Sequence, residues 1–243
     1  MISLRRLLLT HSSGLAYDAV HPYLLKWRES RGEKPSPGLT VETRFLYPLV
    51  FEPGTSWNYG VGTDWAGKMV ERVNSGMTLE TYFEKYIWQP LGIKDMAFFV
   101  KGKHDLEARK AGMHIRKEPH EKAMYFSGSA PFDGVTDCMG GHGLNASAPE
   151  YLKVLHSLLT DNEKLLKKES LVELFTSQLT EMSQKALMKL LEDEETNNIL
   201  GAGLSIDSRK SWGLGGLLCL DDVPGWRQKG TMTWTGLPNL GWV

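Results

Sequence analysis

Cysteines are scarce in this sequence, and their placement excludes two common ways of stabilising a small fold. The 243 residues include only Cys138 and Cys219, which lie far apart and form no Cys-x-x-Cys pair. A disulfide framework or a zinc ribbon requires more cysteines at closer spacing. We therefore expect both residues to be reduced, partly buried thiols that pack as small apolar side chains.

The sequence also lacks an excess of charge and a long apolar run. It carries 28 basic and 29 acidic residues, for a formal net charge of −1. Proteins that bind nucleic acid or anionic membranes usually carry a basic surface, and a membrane-spanning helix needs about 20 apolar residues. Because neither feature occurs, we expect no nucleic-acid partner and no membrane partner. A small neutral ligand and a cytoplasmic location fit this composition better.

A recognisable metal-binding sequence is missing too. The segment from Lys101 to Lys122 contains three histidines, but opposite charges are interleaved among them and no His-Glu-x-x-His occurs. This pattern is typical of a solvated surface. We expect neither a metal nor another cofactor.

Most of the chain has the pattern of short amphipathic helices, with apolar residues at helical spacing between capping and turn residues. The predicted helices span residues 1–10, 18–28, 40–46, 63–76, 78–90, 147–159, 169–175 and 181–194. Thr63 is a predicted N-cap, and Ser147 with Glu150 has the pattern of a capping box. The acidic run 192–195 is predicted to fray, because it lies at the negative end of its helix dipole.

The character of the sequence changes after residue 200. Residues 201–206, 212–220 and 229–234 have the pattern of neighbouring antiparallel strands, with a hairpin turn at 221–225. We find no internal repeat or flexible linker. The sequence therefore predicts one α+β domain, with a helical subregion at about 1–195 and sheet strands at about 201–243.

Several ordered blocks resemble one known family. The run from Glu52 to Phe98 contains a Pro-Gly, a Tyr-Gly, an Ala-Gly-x-x-x-Glu helix and a Pro-Leu-Gly-Ile-x-Asp ending. The blocks 8–15 (LLTHSSGL), 140–144 (GGHGL) and 230–239 (GTMTWTGLPN) provide further landmarks. Together they resemble the serine β-lactamase and DD-peptidase superfamily, in particular its class-C-like esterases and transesterases. The resemblance implies a β-lactamase/transpeptidase-like fold, with an antiparallel sheet flanked by helices, that is incomplete in this chain.

The resemblance assigns a role to Tyr59. The family uses a Tyr-x-Asn or Ser-x-Asn element, and Tyr59-Gly60-Val61 matches it except that Val61 replaces Asn. A Tyr hydroxyl close to a Lys could relay protons with a lowered pKa, so Tyr59 is the candidate catalytic residue. Val61 cannot bind an acyl-side amide, which favours ester or thioester substrates. On spacing alone, a half-buried structural aromatic is the favoured interpretation of Tyr59, and the match of the flanking residues reverses this preference.

A second element of the family is a Lys-Thr-Gly sequence on a strand. Trp234-Thr235-Gly236 resembles it, with Trp in place of Lys, and the Leu237 N–H would then be an oxyanion donor. We assign Trp234, Thr235, Gly236 and Leu237 to substrate and oxyanion binding, beside the alternative of an ordinary strand end with a Gly bulge. If the assignment is right, Tyr59 should lie within roughly 10 Å of residues 235–237, facing one cleft.

The nucleophile of the family, Ser-x-x-Lys, does not occur in the 243 residues. Ser183 has Lys185 only two positions later. We therefore expect a fragment of a serine hydrolase or transesterase that acts through an acyl-enzyme, and this chain alone should be inactive. The alternative is a catalytically inactive β-lactamase-like protein that binds a small ligand.

Overall fold

The computed structural model describes residues 3–116, 118, 120–128 and 133–236. It shows helices with small antiparallel sheets, as the sequence predicted. The α-helices are α1 (Leu4–Leu9), α2 (Pro22–Ser30), α3 (Val41–Phe45), α4 (Gly62–Val73), α5 (Leu79–Phe83), α6 (Gln89–Leu91), α7 (His104–Ala108), α8 (Ala148–Leu159), α9 (Lys168–Leu174), α10 (Glu181–Leu190) and α11 (Glu194–Leu200). A π-helical stretch, Glu84–Trp88, joins α5 to α6 in one continuous run.

The strands are short and pair antiparallel throughout. They are β1 (Met96–Ala97), β2 (His114–Ile115), β3 (Met124–Tyr125), β4 (Asn145–Ala146), β5 (Lys210–Trp212), β6 (Leu217–Cys219) and β7 (Met232–Thr233). Pairs form between β1 and β4 and between β2 and β3, and the third sheet has the order β5-β6-β7. In this third sheet all three strands are buried, and Leu217 on β6 pairs with Trp212 on one side and Thr233 on the other.

Two apolar clusters form most of the core. The first lies around α2 and α3 and comprises Ala16, Leu24, Val41, Phe45, Tyr47, Val61 and Met139. The second joins the sheet to α10 and comprises Trp57, Leu187, Leu191, Leu204, Trp212, Leu217 and Cys219. Tyr17 packs on the first cluster and Tyr59 packs on the second. The two tyrosines therefore lie where the clusters meet.

The structure corrects three predicted helix ends. Helix α4 begins at Gly62 with Val61 as its N-cap residue, two residues before the predicted cap Thr63. Ser147 does precede α8, but its side chain makes no capping hydrogen bond, and the Glu150 side chain accepts from the Lys94 N–H at 2.8 Å. The acidic run does not fray; the Asp193 side chain accepts from the Thr196 N–H and starts α11 there.

The predicted strands differ more from the structure. Residues 201–206 form turns instead of a strand, and α11 extends to Leu200, beyond the predicted end of the helical subregion. The predicted strand 212–220 is a hairpin, because the glycines at its centre make a tight turn in which the Gly213 N–H donates to the Gly216 carbonyl at 2.9 Å. β7 lies within the predicted strand 229–234.

Both cysteines are buried and unpaired. In the described part of the chain, no helix is both long and apolar enough to cross a bilayer. Nor do the described residues group three or more His, Cys, Asp or Glu side chains in a way that could hold a metal ion.

Candidate functional site

His11 fixes the backbone on both sides of Tyr59. It follows α1, has a positive φ of 55° and is buried. Its carbonyl accepts from the Asn58 N–H at 3.1 Å, and its Nδ1 accepts from the Gly60 N–H at 3.3 Å. The two bonds hold the residues before and after Tyr59, so the phenol direction is set by a segment almost fifty positions earlier in the chain.

Gly60 allows this close approach. A Cβ at this position would lie 2.5 Å from the Leu15 carbonyl oxygen and 2.6 Å from the Ala16 Cα, much closer than van der Waals contact. Any side chain here would push the Tyr59 turn away from the 11–16 segment. The packing of the Tyr59 turn against residues 11–16 therefore requires a glycine at position 60.

Aromatic rings surround the Tyr59 ring. The nearest ring centroids are those of His11 at 4.6 Å, Trp234 at 4.9 Å and Tyr17 at 5.5 Å. Trp212 closes the group, with its ring 4.9 Å from His11 and 4.6 Å from Trp234. Such tilted and edge-on pairs stabilise one another beyond the area that they bury.

The structure brings Tyr59 and the candidate substrate strand together. The Trp234 Nε1–H donates to the Tyr59 hydroxyl oxygen at 3.4 Å, across 175 positions of sequence. Trp234 directly follows β7, the outer strand of its sheet among the described residues. Thr235 is half-buried, and Gly236 is exposed with open space where a Cβ would lie. The fourth predicted residue, Leu237, lies outside the described residues.

The electrostatic environment of Tyr59 differs from the predicted one. Burial raises the pKa of Tyr59, and the negative charge of Asp64 raises it further, whereas hydrogen bonds from Trp234 and Tyr17 lower it. Among the described residues, none of the groups that shift this pKa is a lysine. The lowering of the Tyr59 pKa by a lysine therefore stays a prediction.

His11 is neutral at ordinary pH. Burial lowers the pKa of its imidazole to about 3, and the hydrogen bond from the Gly60 backbone only partly opposes this shift. A neutral Nδ1 that accepts a hydrogen bond leaves Nε2 as the protonated nitrogen. His11 thus acts on Tyr59 through position and shape rather than charge.

Asp64 is a functional candidate that the sequence did not indicate. It lies in the first turn of α4, and its side chain is fully buried. Its Oδ1 accepts from the Gly141 N–H at 3.0 Å and lies 3.4 Å from His142 Nδ1. Its Oδ2 is buried without a hydrogen-bond partner among the described residues. The 140–144 block therefore has a physical role in holding this carboxylate beside the tyrosines.

Tyr17 and His11 were also missed as individual residues. His11 lies within the block 8–15, and Tyr17 follows this block by two positions. The block was therefore the sequence signal that could have indicated both residues.

Val61, in contrast, is fully buried in the first core cluster. Its side chain packs in the core, so the departure from Asn affects packing.

The fold and this site together define a class of protein. A tyrosine beside α4, a following block that packs on α4 and an outer strand with Trp-Thr-Gly are the parts of a β-lactamase/transpeptidase-like fold. The chain belongs to the beta-lactamase family, whose profile, described as Beta-lactamase, matches residues 2–241.

Relatives of known activity support this assignment. Lovastatin esterase of Penicillium rubens is 37% identical over 246 residues, covering 98% of this chain and 59% of that protein. Monacolin J acid methylbutanoyltransferase of Aspergillus terreus is 35% identical over 248 residues, covering 99% and 58%. A solved structure of simvastatin synthase from Aspergillus terreus, the LovD6 mutant, superposes with a TM-score of 0.86 at 39% identity, covering 99% and 56%. The chain thus spans less than two thirds of the length of each of these relatives.

Proposed function

We propose that this chain forms the proton-relay and oxyanion side of a serine acyl-transfer site. Tyr59 exchanges protons with the nucleophile or the leaving group, and residues 234–237 line the acyl group. The observation that carries the proposal is the hydrogen bond from Trp234 to Tyr59, because it joins the two predicted halves of the site. The esterase and acyltransferase relatives support the same reaction type.

The nucleophile requires a separate element. Acyl-enzyme chemistry needs a serine with a base that accepts its proton, and the 243 residues contain no Ser-x-x-Lys. We propose that this element is encoded outside the present sequence and that it packs beside Tyr59. This chain covers only 59% and 58% of the lengths of the two relatives, which is consistent with such an arrangement.

The proposed substrates are small esters or thioesters, and the proposed location is the cytoplasm. The relatives named above are a lovastatin esterase and a monacolin J acid methylbutanoyltransferase, so both an esterase and an acyltransferase occur among them. Trp234 in place of Lys removes a carboxylate anchor, which disfavours penicillin-like substrates. The aromatic residues around Tyr59 provide an apolar wall for the acyl group.

Two measurements test this function. The chain as printed should hydrolyse activated esters at the background rate and should resist fluorophosphonate labelling, since the 243 residues contain no Ser-x-x-Lys nucleophile. The transcript that covers this gene should carry a Ser-x-x-Lys upstream of Met1, on a predicted helix. The longer protein should then be labelled at that serine and should transfer acyl groups.

Variants of the longer protein complete the test. Tyr59→Phe should lower kcat by about 100-fold or more, since a general acid–base contributes at least this much. Tyr125→Phe, at an exposed tyrosine, is the matched control and should leave the rate unchanged. Labelling of a serine in the chain as printed would refute the proposal. A transcript without Ser-x-x-Lys would favour the catalytically inactive ligand-binding alternative.

A further inference from the structure

The connection between β6 and β7 forms an open concavity that the proposed reaction does not use. It is lined by residues 222–229 and has a volume of about 510 Å³. Backbone hydrogen bonds fix its shape, since the Val223 N–H donates to the Arg227 carbonyl at 2.7 Å and the Arg227 N–H donates to the Val223 carbonyl at 3.0 Å. Gly225, with a φ of 74°, makes the turn between them. The concavity is therefore preformed, at the opposite end of β7 from Trp234.

Arg227 is a cation without a counter-ion in the described part of the chain. Its guanidinium carbon lies 4.3 Å from the centroid of the Trp226 ring, so the two groups are stacked. Its Nη1 nitrogen is enclosed and has no hydrogen-bond partner among the described residues. A partly desolvated guanidinium that lacks an acceptor is unfavourable, and an anion bound against it would remove much of this cost.

The carboxylates that neighbour Arg227 in sequence are already engaged. Asp221 accepts from the Arg209 Nε–H at 3.0 Å. Asp222 accepts from the Lys229 backbone N–H at 2.8 Å. The lining of the concavity contains two cations, Arg227 and Lys229, and one carboxylate, Asp222, so its formal charge is +1. One negative charge on a ligand would balance it.

Trp226 gives the concavity an apolar wall. A Cβ at Gly203 would lie 3.1 Å from the Trp226 ring, so one edge of the indole packs against the chain. More than half of the side chain is nevertheless exposed. An indole face beside an unpaired guanidinium is suited to a ligand that has an apolar body and an anionic end.

We propose that residues 222–229 bind a small organic monocarboxylate, with its carboxylate against the guanidinium of Arg227 and its apolar body against the indole of Trp226. The planar guanidinium presents N–H groups in a fork that matches the two oxygens of a carboxylate. The single positive charge of the lining favours a monoanion over a dianion such as inorganic phosphate. The site does not depend on the proposed acyl transfer, because neither residue takes part in it.

Fluorine NMR of the chain labelled with 5-fluorotryptophan tests this site. The chain has eight tryptophans, and the signal that is lost in Trp226→Phe belongs to Trp226. The probe 4-phenylbutyrate should shift this signal saturably, with a Kd on the order of 1 mM, as expected for a ligand of this size. Its neutral isostere 4-phenylbutyramide should leave the signal unchanged. So should inorganic phosphate at about pH 8, where it is mainly a dianion.

Two arginine variants separate specific binding from general attraction. Arg227→Gln should weaken the binding of 4-phenylbutyrate by about 10-fold or more, because it removes hydrogen bonds to a charged group. Arg31 is the matched control, since its guanidinium also lies over an indole, 5.0 Å from the Trp27 ring centroid, but its Nε–H donates to Glu33 at 2.8 Å. Arg31→Gln should leave the binding at Trp226 unchanged, and the acid should not shift the Trp27 signal.

Several results would overturn the proposal. They are equal shifts of the Trp226 signal by the acid and the amide, an equal shift by phosphate, a shift that persists in Arg227→Gln, and no shift at about ten times the expected Kd. If Arg227→Gln does not fold, as the remaining indole signals would show, the comparison of acid with amide in the unaltered chain decides alone.

Discussion

The Trp212 Nε1–H donates a hydrogen bond to the Leu9 carbonyl at 3.1 Å, across 203 positions of sequence. This bond connects β5 to the end of α1, and therefore the sheet to the segment that carries His11. Trp212 is almost fully buried, and its ring also contacts His11, Trp57 and Trp234. The packing beneath the candidate site thus depends on the Trp212 indole. Trp212 belongs neither to the predicted Tyr59 element nor to the predicted strand 234–237.

Replacing this indole should destabilise the whole protein. Trp212→Phe leaves a cavity and leaves the Leu9 carbonyl without its donor, so we expect the free energy of unfolding to fall by about 3 kcal/mol. Urea denaturation followed by circular dichroism measures this loss. Trp226→Phe is the control, because Trp226 is 54% exposed, and it should change stability by less than about 0.5 kcal/mol. Equal effects of both variants would contradict the central role of Trp212.

Two residues at helix starts should respond differently to the same change. The Thr180 side chain accepts from the Ser183 N–H at 3.0 Å and donates to the Gly54 carbonyl at 2.8 Å. Thr180→Ala should therefore cost about 1–2 kcal/mol. Ser147→Ala should cost less than about 0.5 kcal/mol, since the Ser147 side chain makes no capping bond. A larger loss in Ser147→Ala, measured by urea denaturation, would favour the capping box predicted from sequence.

The stability of the fold should depend on pH through His11. Its folded pKa of about 3 lies below the ordinary 6.5, so in the interval between them the unfolded chain binds a proton that the folded chain excludes. The contribution is complete above about pH 6.5 and is lost as the pH falls, by about 1.4 kcal/mol for each pH unit. His11→Gln should remove this slope, measured as the difference between unfolding curves at about pH 5 and about pH 7. His104→Gln, in an exposed helix, should keep the slope.

Restoring the family residue at position 61 should damage the fold. Val61 is fully buried in the first core cluster, so Val61→Asn buries an amide without a described partner. We expect a loss of about 3 kcal/mol in the free energy of unfolding. Val61→Ala, which only removes apolar volume, should cost less. A Val61→Asn variant as stable as the native chain would show that the amide finds a partner and that position 61 can serve recognition.

The class of fold and the pairing of Tyr59 with Trp234 could be predicted because ordered blocks carry them. The blocks contain Gly, Tyr and Trp residues at positions where two backbone segments come close together, and few other residue types fit there. The Gly140 position shows why: a Cβ there would lie 2.2 Å from the Thr63 carbonyl oxygen. Such residues can be recognised from the sequence pattern, and they lie next to the candidate site.

The burial of Asp64 could not be predicted, because its partners are 77 and 78 positions away and are backbone or histidine atoms. Local pattern assigns an acid in a first helical turn to the solvent and to the helix dipole. The hairpin at 210–219 was missed for a different reason. Its apolar residues form one continuous run, and only the glycines inside that run indicated the turn.

The closeness of Trp212 and Trp234 has an optical consequence. Two indoles whose ring centroids are 4.6 Å apart at an interplanar angle of 76° couple their electronic transitions. Coupled chromophores in a fixed, chiral geometry give a paired positive and negative band in the ultraviolet circular dichroism spectrum. Since Trp234 also holds Tyr59, any segment or ligand that moves this strand changes the band. The protein therefore contains its own spectroscopic reporter, and assembly of the site can be followed without a label.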